Sequence, residues 1–178
     1  MSKANLKLVF SGPVGAGKTT AMMQISEIPP IQTDQAMTVG ATETKKTTTV
    51  ALDYGEVTLA DGSKVLLFGT PGQRYFDYMC KIVARDASGI MLLLNDAEAD
   101  PAADLDYFTK LYPEYAKMGA MVIGVTHVDN MSANDPLERY HQWLMEKEMV
   151  LPIFAIDARE RDDVILMVEA LVASMEFV

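Results

Sequence analysis

The stretch "SGPVGAGKTT" (residues 11 to 20) places Gly12, Gly17, Lys18 and Thr19 in the spacing of a phosphate-binding turn. It follows an apolar strand-like run and opens a helix-like one, which is the setting this chemistry needs. Backbone N–H groups along Gly12, Val14, Gly15, Ala16, Gly17 and into Thr20 are expected to face phosphate oxygens. The helix N-terminus adds positive potential there. Lys18 reaches terminal phosphates, and the Thr19 hydroxyl suits magnesium, a hard cation that takes oxygen ligands. The plainer reading of the same residues is a glycine turn in front of a helix.

Such a turn needs a sheet to hold it, and the chain supplies one. Apolar runs of strand length ("LKLVFSG", "KVLLFG", "GIMLLLND", "AMVIGVTH", "LPIFAID") alternate with segments of helical length. Continuous apolar strands separated by helices imply a mainly parallel sheet covered on both faces, an α/β fold. One connection differs. "TTVALDYGEVTL" and "KVLLFG" are joined by "ADGS", and Asp61-Gly62 is a hairpin signal. That predicts one antiparallel edge strand. Residues 29 to 48 are polar with little periodicity and read as a long loop, a kind of segment that is usually functional. Met22, Met23, Tyr107, Phe108, Trp143, Met167 and Met175 lie in helical segments and are expected to pack.

The totals narrow the function. At 178 residues the chain is read as a single domain, 1–178, with a full core. A net charge of −10 repels phosphate backbones and anionic lipid, so neither nucleic-acid binding nor membrane insertion is expected. One cysteine, Cys80, rules out an internal disulfide framework, and two histidines leave little for zinc. No signal peptide or long apolar run is seen, so a cytoplasmic protein is expected.

Four further segments bear on which nucleotide is bound. "GVTHVD" (124 to 129) resembles the Asn-Lys-x-Asp guanine motif. "IDARERDDV" (156 to 164) resembles the Ser-Ala-Lys segment that follows the last strand. "ATETKKTTTVALDYG" (41 to 55) resembles a first switch region and "TPGQ" (70 to 73) a second. With the phosphate turn, they make the chain similar to a Ras-like small GTPase of the prokaryotic MglA type, from about Lys7 to the last helix.

That resemblance implies a P-loop NTPase fold with a six-stranded sheet, GTP and GDP as ligands with magnesium, and a readout through protein effectors. It also implies an activating partner of the roadblock/longin type. Asp129 would accept hydrogen bonds from N1 and N2 of guanine, a donor pair adenine lacks. Thr126 would tie loops together, and His127 would stack on the base or serve as a loop residue. Ala158 would offer its N–H to the guanine oxygen, and Arg159 beside it is expected to be a nucleotide-binding residue as well. Gly72 would meet the phosphates. Gln73 would orient the attacking water, with Lys18 as the other catalytic group.

Three departures stand out. Gly69 occupies the position where such proteins carry a magnesium-linked aspartate. Asp53, on the neighbouring strand, is either its replacement or a solvated edge charge. Thr49 is the expected switch ligand for magnesium, with Thr47 and Thr48 close by. Val14 stands where glycine is common and would crowd the terminal phosphate, so slow turnover is expected. The arginine expected beside the switch threonine is absent. Lys45 and Lys46 are nearby, and Arg74 is either an arginine finger in cis or a surface residue. A nucleotide-locked adaptor is therefore the main alternative to a hydrolysing switch. A small-molecule kinase is a third, disfavoured because "THVD" has no job in one.

Overall fold

A computed structural model describes residues 5–29, 31–39, 46–129 and 135–176. Seven strands form one sheet: β1 (Leu6–Ser11), β2 (Ile31–Val39), β3 (Lys46–Thr58), β4 (Lys64–Gly69), β5 (Gly89–Asn95), β6 (Met121–Thr126) and β7 (Ile153–Ala155). Their order is β2-β3-β4-β1-β5-β6-β7. Only β3 runs against the others, paired antiparallel to β4 on one side and β2 on the other. The mainly parallel α/β sheet with one reversed strand is as the sequence predicts. The difference lies at the edge: β2, from the polar stretch expected to be loop, covers β3 and becomes the outermost strand. Backbone pairing to β3 holds it there without the apolar alternation that a sequence pattern would show.

The helices are α1 (Lys18–Ile25), α2 (Asp77–Ala84), α3 (Pro101–Leu111), α4 (Pro113–Lys117), α5 (Glu138–Glu146) and α6 (Arg161–Glu176). Pro113 ends α3 and starts α4, because proline cannot donate inside a helix but fits its first turn. Alternation along the central strands sends side chains to two layers. Leu8, Phe10, Met91 and Leu93 pack under α1 and α6 with Met22, Val164, Met167 and Leu171. Val9, Ile90, Leu92 and Leu94 pack with Cys80, Leu105, Phe108 and Tyr140 from α2, α3 and α5. Burying each of the larger side chains contributes about 1.5–3 kcal/mol. Met23, expected in the core, is exposed; it is one step round α1 from the buried Met22.

The hairpin forms at the predicted place. Gly62 N–H donates to Leu59 O at 2.8 Å, and Ser63 N–H donates to the Asp61 carboxylate at 2.8 Å. This turn fixes the β3–β4 register, pairing Thr58 with Lys64 and, further along, Asp53 with Gly69. Among the described residues no helix is long and apolar enough to cross a membrane.

Candidate functional site

The phosphate turn leaves the C-terminal end of β1 and enters α1. Gly12, Gly15 and Gly17 all have positive φ, which is why the turn is spaced in glycines. The Lys18 ammonium folds back over it, donating to Gly12 O at 2.9 Å and Pro13 O at 2.6 Å. Burial pushes the Lys18 amine down to about 8, against the opposing pull of Cys80 and Asp53. Val14 is 60% exposed and lines the smaller of the cavities at this turn.

Asp53 and Gly69 are direct partners across the β3–β4 pair. Asp53 is 9% exposed, and its Oδ2 accepts a 2.5 Å hydrogen bond from the Thr19 hydroxyl. A Cβ at position 69 would lie 3.0 Å from the Asp53 Cβ, 3.0 Å from the Met22 sulfur and 3.2 Å from Oδ2. The bare glycine thus makes the space that the Asp53 carboxylate fills. Its negative charge reaches the phosphate turn from the next strand over. Thr49 lies four residues up β3 from Asp53, paired with Ala36, roughly 13–14 Å away at the usual strand rise. Its side chain, and those of Thr47, Thr48 and Lys46, lie outside what the structure describes. Lys45 lies outside the described residues altogether.

The second loop, Thr70 to Gln73, folds over the turn. Thr70 N–H donates to Phe10 O at 2.9 Å. A Cβ on Gly72 would lie 2.5 Å from Val14 N and 2.7 Å from Lys18 Nζ. Only a residue without one can stand this close to the phosphate-facing N–H groups. Gln73 is exposed at the start of a short 3-10 turn, Arg74–Phe76. Arg74 pairs with Asp104 at 3.0 Å and lies 4.2 Å over the Tyr107 ring, so its guanidinium is engaged with α3.

Two cavities meet at the turn. The smaller, about 370 Å³, is lined by Val14, Lys18, Thr19, Asp53, Thr70 and Gly72 among others. The larger, about 680 Å³, is lined by Thr126, His127, Val128, Ile156, Asp157 and Ala158 among others. Both include Gly15, Gly17 and Thr20, so they adjoin along the phosphate turn. Each is within the usual size of a small-molecule site. Thr126 is buried, and its Oγ1 lies 3.1 Å from Ala16 O and 3.0 Å from Leu94 O, joining the end of β6 to the phosphate turn and β5. His127 is exposed in the left-handed region, φ 58, with Nδ1 2.9 Å from Thr126 Oγ1. Ala158 abuts Gly17. Asp129 is exposed and is not among the residues lining the larger cavity, although its neighbour Val128 is.

Sequence reasoning misses two carboxylates that line this cavity, Asp157 and Asp163. Asp163 accepts the Asp157 N–H at 2.8 Å, tying the start of α6 to the β7 loop. The Arg159 guanidinium grips the Asp157 carboxylate with bonds of 2.8 and 2.5 Å and holds its carboxyl well below the usual carboxylate range. The only sequence signal is the acidic spacing of "IDARERDDV", which does not say which acids face inward.

The donors fit a small hard cation. Thr19 and Asp53 bring a hydroxyl and a carboxylate together, and magnesium takes few protein ligands when phosphates and water supply the rest. Among the described residues no group of three or more His, Cys, Asp or Glu could cage a metal without such help.

No family model matches the chain. Over 95 residues it is 33% identical to an uncharacterized protein of Methanocaldococcus jannaschii, a match covering 53% of this chain and 54% of that protein. The chain thus spans about half the length of that relative. It is 28% identical over 174 residues to the Ras-related protein Rab-7b of Mus musculus, covering 95% of this chain and 81% of the relative. Among solved structures, it is similar to the G domain of the T. maritima FeoB iron transporter (TM-score 0.65, 18% identity, 96% of this chain and 99% of that one). It is also similar to the bacterial selenocysteine-specific elongation factor EF-Sec (TM-score 0.68, 16% identity, 96% of this chain and 29% of that one). The fold is that of a G domain, and the chain has a Ras-related sequence relative.

Proposed function

We propose that this protein is a guanine-nucleotide-binding switch of the MglA type that hydrolyses GTP slowly. The observation that carries this reading is the pair of cavities adjoining along the phosphate turn. One is built for polyphosphate, with Lys18, Thr19 and Asp53. The other, at Thr126, His127 and Ala158, is wide enough for a base and ribose. Asp129, which follows the cavity-lining Val128 in the chain, would supply the acid that selects guanine once the base is seated.

In this reading Lys18 leaves the carbonyls of Gly12 and Pro13 for the terminal phosphates. A magnesium ion, held through Thr19 with Asp53, would offset phosphate charge, and Thr49 would join it only in a triphosphate state in which β3 shifts to bring this residue, roughly 13–14 Å up the strand, to the phosphate turn. Gly72 meets the terminal phosphate through its backbone. Gln73 turns in from its exposed position to orient water. Val14 projects at the phosphate end and restricts that water, which keeps turnover slow. An activating partner of the roadblock/longin type supplies the positive charge that Arg74, engaged with Asp104, does not bring. Protein effectors in the cytoplasm read the triphosphate state.

A second reading is a nucleotide-locked adaptor. The exposed Gln73 and the engaged Arg74 favour it, since neither sits among the residues lining the phosphate cavity. Calorimetric titration with GDP and GTP in magnesium, followed by single-turnover hydrolysis with and without a roadblock-type partner, separates the two. Tight binding with partner-stimulated hydrolysis supports the switch. Binding without hydrolysis under either condition establishes the adaptor. No binding of either guanylate overturns both.

A further inference from the structure

Behind the switch loop lies a buried cluster that the nucleotide chemistry does not use. Ser11, Thr70, Cys80 and Tyr112 are all buried. The Tyr112 hydroxyl lies 2.8 Å from Ser11 Oγ. Thr70 Oγ1 lies 3.1 Å from the same Ser11 oxygen and 3.2 Å from Phe10 O. The Cys80 thiol donates to Pro71 O at 3.5 Å. Ser11 immediately precedes Gly12 of the phosphate turn. Thr70 and Pro71 immediately precede Gly72.

Tyr112 is the one member from outside these loops and α2. It sits where α3 ends and α4 begins, capping both, and its ring crosses the core to reach them. Burial holds its phenol protonated well above the usual tyrosine range. A phenylalanine would fill nearly the same volume and bury no polar atom. Hydrogen bonds are directional, whereas apolar packing is tolerant, so a satisfied buried network fixes the position of what it holds. Here it holds the two residues that place Gly72 against Val14 N and Lys18 Nζ.

We infer that Tyr112 is a positioning residue for the switch loop: acting through Ser11 and Thr70, its hydroxyl sets where Gly72 stands over the phosphate turn. It thereby sets how sharply the site distinguishes a nucleotide with a terminal phosphate from one without. The second half of this inference rests on the guanine-nucleotide reading above; the first half does not.

The test is Tyr112→Phe. In the ligand-free protein, hydrogen exchange of the Thr70 amide, which donates to Phe10 O at 2.9 Å and anchors the loop that carries Gly72, followed by NMR, is expected to speed up by about tenfold, the effect of losing roughly one hydrogen bond. Core amides of β5 and β6 should keep their rates. With magnesium present, GTP affinity is expected to fall about tenfold and GDP affinity to stay within about twofold. Tyr115→Phe is the control. It removes a phenol bond of the same helix pair, Tyr115 to Ala84 O at 2.5 Å, that does not reach the loops, and it should change neither readout. If Tyr112→Phe does not fold, Ser11→Ala cuts the same link from the other end and should give the same pattern. Unchanged Thr70 exchange, or equal weakening of GTP and GDP, overturns the inference. If wild-type protein binds no guanylate, the functional reading fails, and Thr70 exchange alone decides the positioning claim.

Discussion

Replacing Asp53 with asparagine keeps the shape of the side chain and removes its charge. The structure gives this carboxylate a 2.5 Å bond to the Thr19 hydroxyl in a site 9% exposed. A hydrogen bond to a charged group is worth about 1.5–3 kcal/mol. Loss of a group that supports a metal ligand typically weakens metal affinity about 10–100-fold, a range that agrees with this energy. In a titration that follows release of a fluorescent guanine nucleotide, the midpoint for magnesium should therefore rise about 10–100-fold. Affinity in excess chelator should stay near wild type. The swap Asp53→Gly with Gly69→Asp should restore the midpoint to within a few-fold, since it returns one carboxylate to the same space. Asp53→Ala with Gly69→Asp should not, because the two Cβ atoms would lie about 3.0 Å apart. An Asp53→Asn protein with an unchanged magnesium midpoint would refute the reasoning.

Other outcomes follow from the same geometry. Lys18 loses its proton near pH 8 in the free protein, whereas a bound polyphosphate favours the ammonium. Nucleotide Kd should be flat below about pH 8 and rise toward tenfold per pH unit above it, with the slope lost in Lys18→Met. For the ligand-free protein the sign reverses. The burial cost is fully present below pH 8 and is relieved between 8 and 10.5, where the unfolded chain still holds the proton, so chemical denaturation should show rising stability across that window. Gly72→Ala forces the switch loop back by about 1 Å, a misplacement that can cost about 100-fold in rate. Single-turnover hydrolysis should drop accordingly, with GDP affinity little changed. Thr126→Val leaves the Ala16 and Leu94 carbonyls without their hydroxyl and should cost about 1–3 kcal/mol, read as a Tm lower by several degrees.

Much of this arrangement is legible in the residues, for reasons that can be named. The phosphate turn announces itself because its backbone demands positive φ at Gly12, Gly15 and Gly17, and glycine spacing records that demand. The Asp61-Gly62 hairpin fixes a register, and counting back along it already sets Asp53 opposite Gly69. Which face of β3 Asp53 occupies is not written in the pattern, because a strand with polar residues on both faces has no apolar side to orient it. β2 is missed for a related cause: its residues are held by backbone pairing, which leaves no trace in side-chain polarity. Arg74 shows the limit of local reading. Its partner Asp104 lies on another helix, brought near by the fold alone. Tyr112 looks like an ordinary core aromatic until its hydroxyl is seen to meet Ser11.

The most direct test of the central claim is competitive binding of GTP against ATP at defined magnesium. The account predicts GTP preferred by about 100-fold or more, the scale expected when an acid reads a donor pair that the competitor lacks. Equal affinity, or a preference for ATP, would contradict it.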